Sequence, residues 1–178
     1  PPPPPPATTG SMAACKASKS KNESDDSLVE VEPLSNDAME QLLNTCKLGD
    51  WEALNSLVHV EEVLTVEVIN ELFLTSAEYG HVQMTRSLLN AGAEIEMACN
   101  GNGQRALSLA ACNGHTGVIN LLLDEKADLE VECDHSFTPL LSAIQCDQIE
   151  AVKLLLDRKA NINARTMDSF SALHIAAA

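Results

Sequence analysis

Residues 108–137 read SLAACNGHTGVINLLLDEKADLEVECDHSF and place two cysteines, two histidines and a row of carboxylates in one short stretch. Taken alone, Cys112 and His115 have the spacing of zinc ligands. Comparison of the stretch with the rest of the chain gives another reading. Ser76 to Asn100, Ala110 to Asp134 and Ala143 to Ala164 follow one plan: a small-residue pair, a Gly-His-like step, a Leu-Leu pair, then an Ala-acid-apolar step. Leu107, Leu140 and Leu173 are 33 residues apart, and Gly80-His81 and Gly114-His115 are 34 apart. The extra residue falls in Asn100-Gly101-Asn102-Gly103, a turn-forming stretch that tolerates insertion.

A period of this length is the mark of a stacked-repeat architecture. Val118, Leu121 and Leu122, and again Val152, Leu155 and Leu156, have helical apolar spacing. Gly114 supplies the left-handed residue that ends one helix before the next begins, and Thr138-Pro139 supplies an N-cap hydroxyl with proline at the first helical position. Each unit therefore reads as two short helices and an extended loop. One such pair cannot cover its own apolar face, so the units must stack.

Phe137-Thr138-Pro139-Leu140, Leu173-His174-Ile175-Ala176-Ala177, Gly114-His115 and Lys159-Ala160-Asn161-Ile162-Asn163-Ala164 resemble pieces of the ankyrin repeat. The resemblance implies an all-α solenoid of stacked helix-turn-helix units with hairpin-like fingers. The expected organisation is a disordered tail over 1–33 and a repeat domain over 34–178. Within that domain we expect a divergent first repeat at 34–70, repeats at 71–104, 105–137 and 138–170, and a truncated repeat at 171–178. Departures from the family pattern are visible: Arg105-Ala106 replaces Thr-Pro, Ser108 and Leu141 replace its histidine, and Asp147-Gln148 replaces Gly-His. If Asp147 adopts the left-handed conformation, the strain is about 1 kcal/mol.

The tail begins with six prolines and continues rich in Ser, Thr, Lys and Asp, with little to bury. Ser24 and Ser27 lie among carboxylates and are candidate phosphorylation sites for an acidophilic kinase. Met12 is a candidate natural start, the alternative being that the chain is a fragment. At the other end, Leu173 and Ile175 lack a covering second helix, so further repeats are expected beyond Ala178.

With 11 basic against 26 acidic residues the formal net charge is −15, which disfavours nucleic acid and anionic lipid surfaces and favours a basic partner. No apolar run suits a membrane span and no secretory signal is visible, so a cytoplasmic or nuclear protein is expected. The six cysteines contain no C-x-x-C and are expected as reduced thiols. In the neighbouring copies Cys112 corresponds to Glu78 and Gln145, and His115 to His81 and Gln148. The pair thus follows the repeat pattern, and no metal or cofactor is expected. His81, His115 and His174 are expected to be structural hydrogen-bonding groups, and Cys99 and Cys133 to be inert.

No phosphate-binding Gly loop, H-E-x-x-H or G-x-S-x-G is present, so no enzyme is expected. The expected function is a non-catalytic protein-interaction module. The alternative is the regulatory or substrate-recruiting part of a larger enzyme, receptor or channel. Glu94, Glu96, Asp128, Glu130, Glu132 and Asp134 fall in successive fingers. They read either as ordinary solvated surface or as a docking edge for a Lys- or Arg-rich segment of a protein partner. Tyr79 and Met167 are candidate apolar anchors, whereas Phe137 is expected to pack and Trp51 to cover the end of the stack. The resemblance also implies that Asn163, with Leu155 eight residues earlier, matches the finger asparagine that oxygen-dependent hydroxylases modify in some ankyrin proteins. Its other role would be to hold the finger turn.

Overall fold

The computed structural model describes residues 36–54, 65–98 and 103–177. The tail with Ser24 and Ser27, and Cys99, lie outside them. Helix α1 (Asn36–Leu48) opens the described chain, and residues 51–54 begin a further helical turn. Three helix pairs follow: α2 (Val66–Glu78) with α3 (Val82–Asn90), α4 (Ala106–Cys112) with α5 (Thr116–Asp124), and α6 (Pro139–Gln145) with α7 (Ile149–Asp157). The short α8 (Ala172–Ala176) comes last.

The first helix of each pair packs on the first helix of the next, so α1, α2, α4, α6 and α8 form an inner row. Helices α3, α5 and α7 form an outer row in the same order. The small pairs explain the close stacking: Ser76 and Ala77, then Ala110 and Ala111, then Ala143 are buried where inner helices meet. Between the rows lie Leu72, Phe73, Met84, Leu107, Val118, Ile119, Leu122, Leu140 and Leu155, all buried. Each large aliphatic or aromatic side chain of that kind contributes about 1.5–3 kcal/mol when removed from water.

Local chemistry sets the helix ends. The Oγ of Thr65 accepts from Val68 N, and that of Thr138 from Leu141 N, each at 3.4 Å, capping α2 and α6. The inner helices end alike: His81 N, His115 N and Gln148 N each donate to a carbonyl five residues back, Ser76, Ala110 and Ala143 respectively, at 2.9 Å. The residue before each donor must be left-handed, and it is Gly80 (φ 79°), Gly114 (φ 74°) and Asp147 (φ 55°). The strain foreseen at Asp147 is therefore present.

The expectation of reduced thiols fails at one pair. Cys112, the last residue of α4, and Cys146, just past the end of α6, form a disulfide with Cα atoms 5.3 Å apart. Comparing positions in register pairs Cys112 with Gln145 and hides this contact. Stacking instead brings Cys112 beside the residue one step further on. Cys46 and Cys133 are free.

Candidate interaction surface

The fingers follow the outer helices. Ala98 bridges to Arg105 in one finger, and Arg165 to Ser171 in another, while between them Cys133 N donates to Phe137 O at 3.0 Å. Each finger opens with a tight turn: Met97 N to Glu94 O, Val131 N to Asp128 O and Ala164 N to Asn161 O, at 3.0, 3.3 and 3.1 Å. In two of these the first residue also braces the turn with its side chain. Asp128 Oδ1 accepts from Glu130 N, and Asn161 Oδ1 from Asn163 N, both at 3.0 Å.

Two of the six candidate carboxylates join neighbouring fingers. Glu96 Oε1 accepts from Asp128 N at 2.7 Å, and Glu130 Oε1 accepts from Asn161 N at 2.7 Å. Charge-assisted bonds of this length are strong for their type. The Asp134 carboxylate lies against Gly103 of the preceding finger, and Met167 N donates to His135 O at 2.9 Å, adding a third link from finger to finger. Glu94 and Glu132 are exposed, and among the described residues neither side chain ties one finger to another. The six acids thus divide into two stacking acceptors, one turn brace, one packed against a neighbouring finger and two solvent-facing charges, a division that residue type alone does not reveal.

Met167 belongs to the same edge, near the tip of the last described finger, and is 71% exposed. Tyr79 does not: it is the residue that closes α2, at the end of the inner row remote from the fingers, and is 44% exposed. Leu48 and Trp51, also exposed, occupy the corresponding end of α1 and the turn after it. Phe137 is half-buried, whereas Phe170 is exposed and its ring lies 6.2 Å from that of His174. Asn163 is exposed and stands in the register of Glu96 and Glu130; its backbone N–H, rather than its side chain, enters the finger turn.

Three of the described histidines have structural partners. His81 Nε2 bonds to Lys47 O at 2.9 Å and His115 Nε2 to Glu78 O at 2.8 Å, each reaching back one unit. His174 Nδ1 is 2.7 Å from Ser171 Oγ at the start of α8. Among the described residues no group of three or more His, Cys, Asp or Glu is placed to hold a metal ion, and no helix is long and apolar enough to cross a membrane. Burial pushes the Cys46 thiol up to about 12 and raises that of Cys133 above its usual value. Reasoning from sequence missed Arg158, just past the end of α7, which bonds to Asp124 at 3.0 Å and Asn120 at 2.7 Å on α5. Only the 34-residue offset from Asp124, one repeat length, signals that pair.

The sequence profile of the family described as ankyrin repeats (3 copies) matches residues 34–133 and 72–166. Similar proteins include the mouse ankyrin repeat and SAM domain-containing protein 6, 28% identical over 97 residues, which are 54% of this chain and 11% of that protein. The human ankyrin repeat and KH domain-containing protein 1 is 41% identical over 78 residues, 43% of this chain and 3% of that protein. A Caenorhabditis elegans homologue of transient receptor potential cation channel subfamily A member 1 is 32% identical over 98 residues, 55% of this chain and 8% of that protein. The chain therefore spans only a small part of the length of each of these relatives.

Proposed function

The chain belongs to the ankyrin-repeat family, and from that premise we propose that residues 34–178 form a non-catalytic module that takes a Lys- or Arg-rich protein segment along its fingers and inner helices. Repeats of this family mediate protein–protein interaction generally; the basic partner and the edge that meets it are the proposal. The observation that carries it is the division among the acids. Glu96 and Glu130 hold neighbouring fingers at fixed spacing, while Glu94 and Glu132 face solvent from that frame. A row of charge on a rigid support accelerates encounter with an opposite charge and loses little order on binding. The net charge of −15 acts in the same direction. Met167 would add an apolar contact near the tip, with Asp128 and Asp134 contributing to the field. Tyr79, remote from the fingers, would serve only a partner that wraps to the far edge.

Cytoplasm or nucleus is the proposed compartment, with neither nucleic acid nor membrane as the ligand of these repeats. Hydroxylation of Asn163, which is exposed in its finger, remains part of the proposal; mass spectrometry finding no added oxygen on that peptide from animal cells would remove it.

The test is binding of labelled Lys/Arg-rich peptides by fluorescence anisotropy across a salt series. Glu94→Lys with Glu132→Lys is expected to weaken binding and flatten its salt dependence. Unchanged binding would reduce these carboxylates to solvated surface. A second reading draws on the small share of each relative that the chain covers: the repeats would be the recruiting or regulatory part of a longer enzyme, receptor or channel. The transcript beyond residue 178 distinguishes the two.

A further inference from the structure

The joints between successive units differ at one place. In the first two joints a histidine opens the outer helix and reaches back to a carbonyl near the end of the preceding inner helix, His81 to Lys47 O and His115 to Glu78 O. In the third joint this residue is Gln148, whose Nε2 donates to Cys146 O within its own unit at 3.0 Å. The carbonyl in register with those of Lys47 and Glu78 is that of Cys112. The sulfur of that same residue is bonded to Cys146. The covalent link therefore stands at the joint where the hydrogen bond is missing.

We infer that Cys112 and Cys146 are a reversible redox modification site, which ties the third joint when oxidised and releases its inner-helix corner when reduced. The chemistry needs a small disulfide such as glutathione disulfide as oxidant. The thiolate of one cysteine attacks that disulfide, forming a mixed disulfide and expelling one glutathione thiolate. The second cysteine, deprotonated, then attacks the protein sulfur of the mixed disulfide and expels the other. Two electrons and two protons pass from the protein thiols to give two glutathione thiols, and reduction runs the same steps backwards.

Three features suit the pair to this exchange. Both cysteines are half-buried, so a small thiol can approach. Their Cα separation of 5.3 Å lies within the range a disulfide bridges without backbone movement. The free cysteines of the described chain are poor competitors: Cys46 is fully buried with its thiol pushed up to about 12, and Cys133 is raised by burial with its S–H directed at Phe137 O. Reduction would leave the rest of the joint in place, because Glu130 to Asn161 N and Arg158 to Asp124 and Asn120 still connect the units. The expected response is a loosened corner in a folded stack.

The test uses the full 178-residue chain equilibrated in glutathione and glutathione disulfide mixtures, quenched by alkylation, and read by peptide mass and hydrogen exchange. A linked 112–146 peptide should form in oxidising mixtures and disappear in reducing ones, with exchange over α6 and the start of α7 several-fold slower when linked. Cys146→Ser should remove both responses. Should that variant fail to fold, Gln148→His supplies an independent reading: with the histidine bond restored to Cys112 O, the reduced chain should exchange nearly as slowly as the oxidised one. Separate alkylation of both cysteines in every mixture overturns the inference. So does a link that glutathione cannot reduce, or an exchange pattern that ignores the link.

Discussion

The stack is tied along two edges, and the ties run in opposite directions. At the finger edge a carboxylate reaches forward to an amide of the next unit, as Glu96 does to Asp128 N and Glu130 to Asn161 N. At the far edge an imidazole reaches back to a carbonyl of the previous unit, as His81 does to Lys47 O and His115 to Glu78 O. The difference lies in what each tie demands of its surroundings. A flexible glutamate needs only an amide within reach. The imidazole lies flat over a glycine that has no room for a side chain: a Cβ at Gly80 would come 2.5 Å from His115 Nδ1. Shape governs one edge, and hydrogen-bond chemistry the other.

That contrast breaks most sharply at Gly80. Alanine there meets both the left-handed backbone (φ 79°) and the His115 ring, which together should cost about 2–4 kcal/mol in chemical denaturation. Gly92→Ala is the control, since its φ is likewise positive (102°) while nothing lies within 4 Å of the added carbon. It should cost distinctly less, about 1–2 kcal/mol. Equal losses would mean that backbone strain alone matters and the ring contact does not.

His115→Ala comes next. It removes one hydrogen bond and the cover over Gly80, and about 1–2 kcal/mol of stability should go with it. The double variant with Gly80→Ala sharpens the comparison, because the added methyl no longer has a ring to meet. The two losses should then sum to less than their parts. Strict additivity in urea unfolding would separate the glycine from the histidine and end the shape argument.

These contrasts also explain what was legible beforehand. The helix pairs, their stacking and the structural use of His81 and His115 could be read because each rests on residues with few substitutes: a left-handed glycine, an imidazole of fixed size, a proline after a capping threonine. The finger ties could not, because an acid that accepts from a neighbouring amide looks in sequence like any solvated acid. Asn163 in the register of Glu130 shows how loosely that position is specified. The Cys112–Cys146 link escaped for a geometric reason: repeats are compared in register, whereas side chains of stacked helices meet their neighbours out of register. Tyr79 reads from the sequence as a candidate anchor beside a helix end, and its place at the end of α2 puts it on the other edge from Met167.

At the finger edge the effects are smaller, and they separate stability from binding. Glu130→Ala removes the acceptor of Asn161 N, whose donor can turn to water at an exposed site, so a loss of about 0.5–1.5 kcal/mol is expected. Glu130→Gln keeps an acceptor oxygen on a side chain of the same length and should recover most of it. Glu132→Gln, at an exposed position with no tie to the neighbouring finger, should change stability by less than about 0.5 kcal/mol. If the proposed docking edge is correct, the order reverses in peptide binding: Glu132→Gln then weakens the complex with a basic peptide more than Glu130→Gln does, although both remove one negative charge from the same finger. A single binding experiment on these two variants, with thermal unfolding alongside, decides the matter. Equal weakening would mean that only the summed charge counts; a larger effect from Glu130→Gln would mean that the partner reads the spacing of the fingers rather than the charge they carry outward.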